Sequence, residues 1–324
     1  MKKTLLLLGV FLSLFACKNG EKNEIVLSTS TGRINHLTVI TDNDLWQGKV
    51  GEALRDTLAS PVEGLPQQEP LFTISHIPSK AFKGFVKTNR TFLKIEKRKQ
   101  ASFRITKDTF AKPQTGIYIA GPTSDTIISL FKDNNQKIIK ALKQTEIYEQ
   151  QRRISKSLES DAYLEENLGV SLRFPSAYRY AKKQEDFVWI RKDIPNGSME
   201  MLIYEIPMQV IDKDTNVIAN IIKMRDSIGQ KYIPGPNKGS YLKTEDAYAP
   251  YLFESKVDGH FAYETKGTWD VKDAFMAGPF INYAIKDEKN NRYLVLEGFI
   301  FRPSASKRDH MFELESILKS ARLE

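Results

Sequence analysis

Asp258-Gly259 constrains the fold more than any other pair in the chain. It lies between residues 251–257 and 260–269, two runs read as strands. An Asp-Gly pair supplies the two positive φ angles of a two-residue hairpin turn, so a tight antiparallel hairpin is predicted, with the turn setting its register. A second hairpin joins residues 280–286 to 292–302 through Asp287, Glu288, Lys289, Asn290 and Asn291. Its return strand carries Tyr293, Val295, Phe299 and Phe301 on one face and Leu294, Leu296 and Ile300 on the other. A strand apolar on both faces belongs in the middle of a sheet, beneath covering helices.

Those helices are legible at 3.6-residue spacing. Val217, Ile218, Ile221, Ile222 and Met224 follow a capping Asp214, and Met311, Phe312, Leu314, Ile317 and Leu318 mark a last helix from Ser304 or Ser306 to about Arg322. Further strands are expected at residues 170–174, 187–191 and 199–206. Nearer the start, a strand at 36–41 precedes a helix over 45–58 capped by Asp42 or Asp44, and short strands follow at 71–77, 91–96, 102–106 and 116–120. After Gly121-Pro122 the longest helical pattern begins, with Ser124 or Asp125 as its cap. Ile127, Ile128, Phe131, Ile138, Ile139 and Leu142 form its apolar side, and it runs toward Leu158 with a bend near Gln144. The pattern is that of an α+β protein with mainly antiparallel sheets covered by helices. It has two halves, residues 35–160 and 161–324, joined by the long helix.

The first residues carry an address. Lys2 and Lys3 precede an apolar run over 5–15, too short to span a bilayer, which needs roughly 20 apolar residues. The run ends in Leu14-Phe15-Ala16-Cys17, which resembles a lipobox: a large aliphatic residue and a small one present cysteine for diacylation. Phe15 departs from that pattern, and an uncleaved anchor or a buried Cys17 is the alternative; an ordinary secretory cut fits less well because Leu14 is large. Residues 1–16 are therefore expected to be a signal peptide, Cys17 the lipid-bearing residue, and 17–34 a flexible tether of polar composition. Cys17 is the only cysteine, so no disulfide forms within the chain. The expected location is the cell envelope, held through lipid on Cys17, with a lean toward the periplasmic face of the outer membrane. Residues 18–21 lack the acidic run that resembles a surface-export signal.

The formal charge of +8 is mild and spread out, the densest cluster being Lys94, Lys97, Arg98, Lys99 and Arg104. Such a cluster suits anionic headgroups or glycans, or is a solvated strand face. Nucleic acid is not an expected partner in that compartment.

The chemistry of the chain is sparse. His36, His76, His260 and His310 are too scattered for a helix or hairpin metal motif, and no metal or cofactor is expected. No serine stands in a nucleophile elbow. Ser-x-x-Lys occurs at Ser129, Ser240, Ser304 and Ser316, about as often as chance allows and without the partner motifs of penicillin-recognising enzymes. The 234–239 loop has two prolines where a phosphate cradle needs amide hydrogens. Glu165 with Glu166, Asp212 with Asp214 and Glu245 with Asp246 read as turns and caps, and Lys137, Lys140 and Lys143 as a solvated helix face. No catalytic residue is assigned, although Glu205 and Asp270 are carboxylates whose replacement would expose one.

Several of these residues together resemble a family of Bacteroidota lipoproteins defined as a single domain of unknown function, over about residues 35–323. The resemblance rests on the lipobox, the strand end at 117–122, Arg152-Arg153 on the long helix, Leu172-Arg173-Phe174-Pro175, Trp189-Ile190-Arg191, and the closing hairpin and helix. It implies an envelope location and no activity. The expected role is a periplasm-facing binding or envelope-assembly factor whose partner is an envelope protein or glycan. The alternative is a cell-wall or glycan hydrolase using dispersed carboxylates.

Overall fold

The computed structural model describes residues 26–324. The signal and lipid-attachment reading on residues 1–17 lies outside the described residues, as does half of the expected tether. The described part of that segment, residues 26–34, runs against the first half. Strand β1 (Ser28–Thr29) pairs with residues 111–112, Ser30 and Asn35 are buried, and Thr31 bridges to Asn89. A polar segment cannot fold alone, but its amides can be satisfied by a neighbouring fold.

The first half is a five-stranded sheet in the order β3-β2-β4-β7-β5. Its strands are β2 (His36–Ile40), β3 (Thr73–Ile77), β4 (Thr91–Lys97), β5 (Ser102–Lys107) and β7 (Thr115–Gly121); β6 (Ala111–Lys112) takes up β1. β2 pairs in parallel with β3 and β4, and β4 with β7, while β5 returns antiparallel. Parallel pairing needs a crossover, and the predicted 45–58 helix provides one. It is split at Gly48 into α1 (Asn43–Gln47) and α2 (Lys49–Leu58). Neither Asp42 nor Asp44 caps it through its side chain: Asp42 occupies the cap position without such a bond.

The long helix α3 (Ser124–Ile154) lies on this sheet and runs between the two halves. Ile127, Phe131, Ile138 and Leu142 pack on Val39, Leu93, Ile95, Ile117 and Ile119. Its cap is Thr123, whose hydroxyl accepts the Thr126 amide, and not Ser124 or Asp125. Thr123, Ser124 and Asp125 all offer a side-chain oxygen, so the short polar run does not fix which of them is the cap. The helix stops at Ile154, short of the exposed Leu158.

The second half is an eight-stranded antiparallel sheet ordered β12-β14-β15-β16-β11-β10-β9, with β13 beside β14. Short α4 (Ala162–Leu168) leads to β8 (Val170–Ser171), so only the first two residues of the expected 170–174 strand pair, with β17 (Arg322–Leu323). Then come β9 (Arg179–Gln184), β10 (Phe187–Ile194), β11 (Gly197–Pro207), α5 (Val217–Tyr232), β12 (Leu242–Thr244), β13 (Tyr251–Val257), β14 (His260–Val271), β15 (Ala274–Asp287), β16 (Arg292–Phe301) and α6 (Arg308–Leu318). Asp258 and Gly259 have φ of 51° and 81° and join β13 to β14 as the sequence requires. β16 is central, between β15 and β11. Its Leu294, Leu296 and Ile300 pack toward α6, and its Tyr293, Val295 and Phe299 toward α5. Asn216, not Asp214, caps α5, accepting the Ala219 amide; Asp214 instead receives the Asn216 amide and the Asn220 side chain.

Candidate functional site

Three buried or half-buried charged groups organise the molecule, and two are complete in themselves. Arg90 and Glu146, both almost fully buried, face each other through two hydrogen bonds of 3.0 Å. Arg90 also donates to the Gly32 and Arg33 carbonyls, and Glu146 accepts the Asn35 amide, which fastens the entering chain to α3. In the second half, Arg225 reaches Glu297 at 2.6 and 2.8 Å and Thr244 at 2.5 Å, Asn282 donates to the same glutamate, and the guanidinium lies 3.4 Å from the Phe280 ring centre. Charges matched this closely hold parts together; removing one partner strands the other in a low-dielectric interior.

The third group sits where the halves meet. The loop after α2 lies on β14, and Gly64, at φ 81°, permits it: a side chain there would come within 2.9 Å of the Lys266 Cβ. Glu69 of the first half accepts the amides of Lys307 and Arg308 at the start of α6, and Gln151 on α3 donates to the Ser316 carbonyl. Into this seam β14 sends Glu264 and Lys266, α6 sends Glu315, the position just after α6 sends Lys319, and α3 sends Lys143. Successive helical residues are about 100° apart, so with Leu142 buried against the sheet Lys143 is turned toward the second half.

The two glutamates are taken by two lysines. Lys266 is 2.6 Å from Glu264, and Lys319 is 3.0 Å from Glu315 and 3.8 Å from Glu264. Lys143 is left over: half-buried, it makes no hydrogen bond or ion pair among the described residues. Burial lowers its pKa below the ordinary lysine value; Glu315 pulls the other way, and Lys266 and Lys319 push it further down. Burial would raise Glu315, yet Lys319, Lys266 and Lys143 hold its carboxyl well below the usual carboxylate range. Glu264 is likewise lowered, against burial, by Lys266 and Lys319. Of these five side chains three are cations and two carboxylates, Glu63 on the neighbouring loop also acts on Lys266, and Lys143 is the one of the three cations without a close partner among the described residues. The lysines thus favour the ionised form of both carboxyls. What the arrangement can do is receive an anion.

Three hollows run along the seam. A cleft of about 960 Å³ between α3 and the β13–β14 hairpin is bordered by Lys140, Lys143, Tyr148, Glu254, Lys256 and Glu315. A small pocket of about 50 Å³ shares Lys143 and Glu315 with it and reaches the 62–65 loop. A groove of about 600 Å³ continues from that loop, with Gln67, Gln68, Tyr248 and Tyr251 along it. Tyr148, Tyr248 and Tyr251 are 54, 71 and 49% exposed.

The residues singled out in sequence are not brought together. His36 meets Ser75, His76 stacks on Trp46 and meets the Thr41 carbonyl, and His260 and His310 lie elsewhere. The described residues contain no group of three metal-ligating side chains. Ser129, Ser240 and Ser316 are held in local bonds to Asp133, Asn237 and Phe312. Glu205 pairs with Arg292, and Asp270 lies 3.5 Å from Lys243, away from the seam. Lys137 and Lys140 are exposed as expected, whereas Lys143 is not a solvated residue.

Comparison with known proteins places this architecture. The model of a domain of unknown function, DUF4837, matches residues 157–320, which is half of the chain. The chain belongs to the DUF4837 family. A second domain of unknown function, DUF8532, matches residues 30–155, so the expected likeness to a family of that kind is met by two adjoining models in place of one. No curated protein matches the sequence. Among solved structures, the chain is similar to the crystal structure of LpqN, involved in cell envelope biogenesis of Mycobacterium tuberculosis. That likeness has 10% identity, a TM-score of 0.29, and coverage of 48% of this chain and 82% of that one. A likeness of that size bears no weight on fold or role.

The seam of this DUF4837 protein escaped sequence reading because its residues are separated by up to 176 positions, from Lys143 to Lys319. Glu297 did leave a signal. It is the one charged residue in the 293–301 run, and a lone acid in a strand apolar on both faces has to be buried and paired.

Proposed function

We propose that this protein is an envelope lipoprotein, anchored through lipid on Cys17, that works by binding and not by catalysis, with the seam as its binding site. The observation that carries the reading is the unpaired Lys143 beside two carboxylates already neutralised by Lys266 and Lys319. A cation held half-buried beside spent partners is unfavourable for folding alone, and an anionic ligand would complete the group. The exposed tyrosines along the cleft and groove suit a larger ligand bearing that anion, such as a glycan or peptide with carboxylate or phosphate groups. The lipobox ending in Cys17 supports the envelope location, and two or more acyl chains give stable anchoring.

The test uses the isolated lipidated chain with inorganic phosphate and galacturonate as probes. Ligand binding to the native state alone raises the melting temperature. Both probes are expected to differ from chloride at equal ionic strength, raising the melting temperature of the parent protein and not that of Lys143→Met. A rise that survives Lys143→Met, or no rise in either protein, contradicts the assignment.

A further inference from the structure

We propose that the 79–88 loop is the surface on which the protein rests against an anionic bilayer, with Phe85 entering the interface and Lys80, Lys83 and Lys87 among the headgroups. The inference rests on the lipid attachment proposed at Cys17 and concerns a different part of the molecule from the seam.

The loop is two short 3-10 turns, Ser79–Ala81 and Gly84–Thr88. No acidic residue occurs between Glu69 and Glu96, so the lysines of this stretch have no acid in sequence reach. Lys80 and Lys83 are exposed and Lys87 half-buried, and none of the three forms an ion pair among the described residues. Phe85 stands out from them, 74% exposed, while Phe82 behind it packs on Phe92 at 5.1 Å and anchors the loop. An aromatic tip flanked by lysines with an apolar base is the composition that settles at a membrane interface.

The position of the entering chain decides the partner. Thr31 donates its amide to the Thr88 carbonyl at 2.9 Å, its hydroxyl lies 3.1 Å from that of Thr88, and the Thr88 hydroxyl donates to the Phe85 carbonyl at 2.7 Å. Gln114 ties the Lys87 and Asn89 carbonyls to the turn before β7. The chain leading back to Cys17 therefore leaves the fold beside this loop, at Ser28 and Thr29 against Ala111 and the exposed Lys112. From Cys17 to Ser28 the span is eleven residues, so a lipid there holds this edge within about 40 Å of the bilayer at full extension. Asp108 is the nearby acid, and one of its oxygens is occupied by the Gln114 amide.

The basic cluster chosen in sequence is less suited. Lys94 and Arg98 both pair with Glu96, and Lys97 to Lys99 lie at the far end of β4, about 20 Å along the strand from Thr91. The lysines that matter are those the topology sets beside the tether.

The experiment uses the full lipidated chain carrying Phe85→Cys, labelled with an environment-sensitive fluorophore and reconstituted in phosphatidylcholine vesicles with or without phosphatidylglycerol. Acylation leaves Cys17 unavailable to the label, and intact mass reports that acylation independently. Phe275→Cys, a fully exposed position of the second half, is the reference. The expected result is blue-shifted emission shielded from aqueous iodide at position 85 in the anionic vesicles only, with position 275 unshielded. Lys80→Gln, Lys83→Gln and Lys87→Gln together should weaken the shielded state by about fivefold per lysine. Aqueous emission at position 85 on an acylated chain overturns the bilayer contact and leaves the anchor standing. An unmodified Cys17 overturns the anchor, and the contact with it.

Discussion

At the scale of single residues, the seam is a study in how many charges a partly buried site holds in balance. Glu315 illustrates it. Its carboxyl is held below the ordinary value of 4.5 because Lys319, Lys266 and Lys143 outweigh the effect of burial. A folded-state pKa below the unfolded one means that the native protein binds fewer protons, so stability rises with pH across the interval. The contribution is complete above about pH 4.5 and is lost as pH falls toward the lower folded value. Melting temperature measured from neutral pH down to about pH 3 should therefore fall more steeply in the parent protein than in Glu315→Gln, which has no proton to take up. Glu264, lowered for the same reason, leaves a smaller slope in the variant. Parallel curves would mean that Glu315 does not feel the lysines. Almost none of this was legible beforehand: a lysine on a helix looks solvated until the strand or helix opposite is known, and Lys143 was grouped with Lys137 and Lys140 for that reason.

Elements were read far better, because their determinants are local. The β13–β14 hairpin follows from two residues, and the centrality of β16 from one strand apolar on both faces. Cap residues were misplaced by one or two positions, since Thr123 and Asn216 compete with neighbours that offer the same side-chain oxygens. The parallel pairing of β2, β3, β4 and β7 was not legible, as short strands pair either way until the crossovers are known. The hairpin is also the easiest element to test. A side chain at Gly259 would meet nothing within 4 Å, so replacing it acts only through its φ of 81°. Gly259→Val should cost about 1–3 kcal/mol, read as a lower urea midpoint at unchanged slope, while Gly259→Asn should cost less. Equal effects of the two would mean that the turn's dihedrals do not set the register.

For the whole molecule, the two halves act as one object because each completes the other. Glu69 accepts the first amides of α6, Gly64 lets a first-half loop lie on β14, and Gln151 reaches Ser316, so both halves contribute to the walls of the hollows. The long helix between the halves follows a local pattern; the wall they share is made of contacts between residues far apart in the chain, which no local pattern encodes. The central claim is that this wall binds an anionic envelope component through Lys143. The direct measurement is photo-crosslinking in intact cells from a photoreactive residue at Tyr148, in the cleft, with Phe275 as the position for comparison. The account predicts a discrete adduct carrying carboxylate or phosphate groups from Tyr148 alone, lost in Lys143→Met while that variant melts at or above the parent temperature. The same adduct in Lys143→Met, or adducts alike from both positions, would contradict it.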